Sequence, residues 1–260
     1  MKRLILTTCL FVLFASCTAL ADWNVGDPYK MHFPQLPDPD GWDVEFYDWV
    51  PQLADDWQCT ESGEVDDIHI WYSWKGDSVG TIQMVQLGIW SNDPDGGGAA
   101  AGYSTPDEKL WGYRDLYPGE FTTRDWTTGG KQGWYDPISG VHVTGDHDEI
   151  YQLNVVDIDD PFYQEEGEIY WLSICFWMGE DPNRPGWKTA DVDKYPEQYA
   201  GNHFMDDAVW WDGDNGNWNE LRDPITGKSL DLAFVITPEP ATVGLLGLGA
   251  LSLLRRRKNS

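Results

Sequence analysis

The chain has 260 residues with 17 Lys and Arg against 44 Asp and Glu, a formal net charge of −27. Setting aside Lys2, Arg3 and the basic residues of 255–258 leaves 11 cations against 44 acids, a net of −33. Such a chain repels nucleic acid and anionic lipid, so no nucleic-acid partner is expected. With 16 Trp, 12 Tyr and 9 Phe it is also too aromatic to be read as disordered.

Residues 1–21 read as a secretory signal peptide with a signal helix. Lys2 and Arg3 form its positive end, Leu4 to Ala15 its apolar stretch, and Ala19 and Ala21 the small residues that signal peptidase needs before Asp22. The apolar run is too short to span a membrane comfortably. A lipid on Cys17, after Phe14-Ala15-Ser16, is the rival reading. Cys9 and Cys17 leave with the signal, so Cys59 and Cys175 remain. In an oxidising compartment they can form a disulfide. Two buried thiols are the alternative.

Residues 22–237 read as one domain. Asp22 to Pro51, rich in Pro, Asp and aromatics, is expected to wrap its edge. Short β-branched and aromatic runs follow, broken by turn residues. These are Ile68 to Trp74, Thr81 to Trp90, Glu149 to Val156, Glu168 to Met178 and Ser229 to Ile236. Strands at this spacing predict an all-β fold, a single antiparallel β-sandwich of jelly-roll type. The continuous run 168–178 predicts a central strand covered on both faces. Asp95 to Gly102 is a flexible glycine excursion. Asp136-Pro137-Ile138-Ser139-Gly140 and Asp223-Pro224-Ile225-Thr226-Gly227 predict two similar turns: proline presets the backbone, Asp bonds back to the chain, and Gly takes a left-handed position.

Three constellations bear on function. All the tryptophans lie outside the signal. Trp71, Trp74, Trp171 and Trp177 fall inside predicted strands and read as core. Trp187, Trp210, Trp211 and Trp218 fall in predicted loops and are the ligand-binding candidates, because an exposed indole stacks on the C–H face of a sugar. Asp212, Asp214 and Asn217 place oxygens on a glycine-containing loop, the pattern of a Ca²⁺ site. An ordinary polar turn is the alternative, since the EF-hand-like pattern breaks at Gly216. No Gly-x-Ser-x-Gly, His-Glu-x-x-His or phosphate loop is present, so no catalytic residue is assigned. A glycan-active hydrolase needs a pair of carboxylates that 44 acids neither identify nor exclude.

Residues 238–260 form a tag. Pro238-Glu239-Pro240 is followed by the apolar stretch Ala241 to Leu254 and then Arg255-Arg256-Arg257-Lys258. Two prolines in three residues force an extended segment. The apolar helix is marginal for a core of ~30 Å, and the cations hold its end on the cytoplasmic side. Composition alone fits an ordinary anchor as well as a sorting signal. The segment resembles the PEP-CTERM sorting signal. That resemblance implies export, handling by a membrane-embedded exosortase that cuts near the Pro-Glu-Pro, transient membrane attachment, and a host that makes extracellular polysaccharide. Leu53 to Thr60, Asp67 to Trp71, Glu168 to Leu172, Gly186 to Thr189, Asp206 to Trp210 and Ser229 to Phe234 are similar to an uncharacterised domain common in such tagged proteins. The expected partners are therefore the export machinery, signal peptidase, exosortase and extracellular polysaccharide. The expected place is the cell envelope, surface or matrix. A polysaccharide-binding surface protein, a purely structural envelope component and a glycan-active hydrolase are the three functional readings, the first preferred.

Overall fold

The computed structural model describes residues 22–46, 53–96, 102–197, 204 and 206–238. Of residues 113 and 114 it describes the backbone alone. The expected signal peptide, the expected apolar helix of the sorting tag, and most of the glycine excursion lie outside the described residues. So do Ala19, Ala21, Glu239, Pro240 and Arg255 to Arg257. Residues 26–238 belong to one compact unit. No helix among the described residues is long and apolar enough to cross a membrane.

Among the described residues fourteen strands build this unit. They are β1 (Trp42–Glu45), β2 (Leu53–Gln58), β3 (Gly63–Val65), β4 (Asp67–Trp74), β5 (Met84–Asp93), β6 (Thr105–Leu116) and β7 (Thr122–Tyr135). Then come β8 (His142–Val155), β9 (Phe162–Gln164), β10 (Ile169–Trp177), β11 (Pro185–Lys188), β12 (Val209–Asp212), β13 (Asn217–Glu220) and β14 (Phe234–Thr237). The fold is an all-β sandwich of curled antiparallel sheets, as expected from the turn spacing.

One sheet runs β13-β12-β2-β10-β5-β6. Its centre is β10, whose residues from Tyr170 to Phe176 are all buried, which is why its sequence shows no polar alternation. The other sheet runs β11-β1-β7-β8-β4-β14, and β11 pairs also with β4. That extra pairing closes β4, β8, β7, β1 and β11 into a ring. Bulges in the β7–β8 ladder provide the curl. The two sheets meet through aromatics, with Phe46 and Tyr72 packing on Phe176 and Trp57 on Phe234.

The segment before residue 51 does more than wrap an edge. Trp42 to Glu45 is an interior strand between β11 and β7, and its pairing with β7 is parallel. Both Asp-Pro turns form as read. The Gly140 and Gly227 amides donate to the Asp136 and Asp223 carbonyls at 2.9 Å. Each carboxylate accepts from the two backbone amides beyond its proline. Both glycines have left-handed backbones, φ 72° and 68°.

Candidate functional site

The sheet β13-β12-β2-β10-β5-β6 carries an aromatic cluster on its outer face. On β5, Val85, Leu87 and Ile89 point to the core, so strand alternation turns Trp90 outward. On β2 Ala54 and Asp56 share this face; Ala54 pairs with Ser173 on one side and Val209 on the other, and Asp56 with Trp171. A small residue at Ala54 leaves room for larger rings: Trp90 and Trp218 pack over the fully buried cluster of Ala54, Val209 and Trp171.

The hairpin β12–β13 supplies the rest. Trp211 stands directly opposite Trp218 in the ladder. Their rings lie 5.3 Å apart at 65°, and Trp218 lies 6.4 Å from Trp90 at 79°. Edge-to-face pairs of this kind add about 0.5–1.5 kcal/mol each beyond their burial. The strip is pinned by polar contacts. Trp90 Nε1 donates to Ser173 Oγ at 2.8 Å, Trp171 Nε1 to Asn92 Oδ1 at 2.8 Å, and the Tyr103 hydroxyl to the Trp218 carbonyl at 3.1 Å. The Lys109 ammonium sits 5.6 Å above the Trp90 ring. Trp90, Trp211 and Trp218 are each half-buried. The result is a fixed row of three indoles whose remaining surface is open to solvent. A separate cavity of about 280 Å³ opens among Tyr72, Trp74, Phe121 and Tyr151, with Arg124 and Asp125 at its rim.

A family model described as Domain of unknown function (DUF7901) matches residues 31–237. The chain belongs to this family. The PEP-CTERM protein-sorting motif matches residues 237–258. No curated protein and no solved structure matches the chain. The motif makes this DUF7901 protein an exported, exosortase-processed one directed to the cell envelope.

Within the DUF7901 domain the four candidate tryptophans separate. None lies in a loop: Trp187 is in β11, Trp210 and Trp211 are in β12, and Trp218 is in β13. Trp187 has no exposed surface and donates from Nε1 to the Ala233 carbonyl at 2.9 Å, so it belongs to the core. Trp210 pairs with Asn219 and points to the opposite side of its strand from Trp211. Trp211 and Trp218 come together, and Trp90 joins them. Trp90 was legible in the alternation of β5, since three core residues at every second position leave it on the other face.

The Ca²⁺ candidate lies at a turn. Asp212 closes β12 and Asn217 opens β13, so the loop between is a hairpin turn. The Asp212 carboxylate accepts from the Asp214 amide, the Asn215 amide and the Asn215 side chain. The Asn215 side chain, with the Asn215 and Asp214 amides, keeps its carboxyl below the usual range. Asn217 donates from Nδ2 to Asn219 Oδ1. Among the described residues no group of three His, Cys, Asp or Glu is placed to hold a metal ion. The Gly216 amide bonds to the Asp212 carbonyl at 2.7 Å, with φ 69° at the glycine. This is the same turn as at 136–140 and 223–227, without the proline.

Cys59 and Cys175 are buried and form no disulfide with each other. Cys59 bonds through its amide to the Glu168 carbonyl, beside the start of β10. Cys175 lies seven residues further along that strand, about 23 Å away at roughly 3.3 Å per residue. A disulfide needs Cα atoms within ~7 Å.

Proposed function

We propose that this protein is a non-catalytic component of the cell surface or extracellular matrix that holds polysaccharide on the strip formed by Trp90, Trp211 and Trp218. The observation that supports this most is the arrangement of those three indoles. They are adjacent, pinned and half-open on the outer face of a sheet. A pyranose ring offers C–H groups to such faces, and successive sugars along a chain suit successive rings. A pre-fixed platform also loses little side-chain freedom on binding. The acidic surface narrows the ligand to a neutral or cationic polysaccharide, because an acidic one would be repelled.

The test is affinity electrophoresis or calorimetry of the processed protein with the host's own extracellular polysaccharide. Trp211→Ala with Trp218→Ala should weaken binding at least tenfold, about 1.4 kcal/mol. Absence of binding by the unaltered protein would overturn the reading in favour of a purely structural envelope component. Release of new reducing ends from the same polysaccharide would replace it with the hydrolase.

A further inference from the structure

The closed ring of β4, β8, β7, β1 and β11 has a polar interior. Asp43 on β1 pairs in register with Lys188 on β11, and both side chains have no exposed surface. A completely buried lysine is rare unless its charge is answered. Lys188 Nζ lies 3.0 Å from Asp43 Oδ2, with the Trp42 carbonyl at 3.3 Å as its further acceptor. His147 on β8 enters from the other side. Its Nε2 lies 2.8 Å from the same Asp43 Oδ2, and its Nδ1 lies 3.1 Å from Asp146 Oδ2. Asp43 Oδ1 is buried without a partner among the described residues. The Trp134 ring packs 6.1 Å from His147 and closes the space against Gly186. An amine, a carboxyl and a proton carrier are thus held together in a site without bulk water.

We propose that Lys188 and Asp43 condense to an intramolecular isopeptide bond, with His147 carrying the protons. Burial pushes the Lys188 ammonium down, although Asp43 pulls it up, so the free amine is accessible. Burial also opposes charge on His147, but its hydrogen bonds to Asp43 and Asp146 prevail and raise it. The Nζ proton passes to Asp43 Oδ2, leaving an amine beside a carboxylic acid. The Nζ lone pair attacks Cγ and forms the N–C bond. His147 donates from Nε2 as the C–Oδ2 bond breaks, and Oδ2 leaves as water. The remaining extra proton on Nζ returns to His147. The products are one amide, whose carbonyl is the former Oδ1, and one water, with nothing oxidised or reduced. Holding the two reactants in contact replaces an encounter in solution, where well-oriented pairs reach effective concentrations of about 10⁵–10⁸ M. The bond would tie β1 to β11 covalently in a protein that works outside the cell.

The test is mass spectrometry of the purified, folded full chain. The unaltered protein should be lighter than its sequence by one water, and proteolysis should release a branched peptide joining Asp43 to Lys188. Lys188→Met and Asp43→Ala should restore the full mass. His147→Ala, which keeps both reacting groups, should form the bond more slowly or not at all. Full mass and separate Asp43 and Lys188 peptides from the unaltered folded protein after prolonged incubation would overturn the proposal, whatever the variants do.

Discussion

Trp187 and Trp218 differ in what surrounds the same indole. Trp187 is sealed between the sheets with Phe46 and Phe234 around it. Trp187→Ala should cost about 3–5 kcal/mol and show as a lowered urea midpoint. Trp218→Ala leaves that core intact and should remove binding at a smaller cost in stability. If Trp187→Ala proves the milder of the two by chemical denaturation, the separation of core from strip is wrong. Asp207 gives a second prediction at this scale. Burial lifts its carboxyl to about 7, even though Arg222 at 2.8 Å pulls it down. A carboxyl raised above its unfolded value, near ~3.9, contributes stability below that value. It loses that contribution as pH climbs through about 7. Asp207→Asn should therefore flatten the fall in melting temperature between about pH 4 and pH 7. Calorimetric scans with parallel slopes for both proteins would contradict it.

Turns and strands were unequally legible at the scale of elements. The turns at 136–140 and 223–227 could be read because every requirement is local: an Asp acceptor, a proline and a left-handed glycine. Gly227→Ala should cost about 1–2 kcal/mol, the price of a Cβ in that backbone region, measured by urea unfolding. The turn at 212–216 has the same geometry, but its Asp and Asn spacing imitates a Ca²⁺ loop. Because amides already occupy Asp212, a chelator should leave the melting temperature unchanged. A drop on chelation, restored by Ca²⁺, would revive the metal site. Strands β4 and β10 announced themselves as apolar runs. Strands β6 and β7 did not, since most of their described side chains are exposed or half-exposed and polar. Part of β7 faces the ring interior, where Gln132 takes the place of an apolar residue.

The whole molecule carries its acidity inward as well as outward. Asp55 and Asp56 are both buried, and burial, reinforced by their acidic neighbours, raises both carboxyls well above the usual range. Asp55 accepts from Gln35 and the Leu232 amide, whereas both oxygens of Asp56 lack partners among the described residues. Raised carboxyls stabilise the fold at low pH and cease to do so as pH rises through their folded values. Mutual repulsion among the surface acids acts in the same direction. The melting temperature should therefore be higher near pH 5 than near pH 8. A protein that loses stability steadily across that interval on acidification would refute the inference.

What the sequence alone determined is what short stretches encode: the sorting tag, the all-β class and the two Asp-Pro turns. Each depends on residues a few positions apart, so composition and spacing suffice. Only the tertiary structure decided which tryptophans share a face and which acids are buried. It also decided that Asp43, His147 and Lys188 meet inside one ring. Those groupings join strands distant in the chain, through registers such as Asp43 with Lys188 and Trp171 with Trp90. Register reverses every side chain when it slips by one residue, and nothing local in the sequence fixes it.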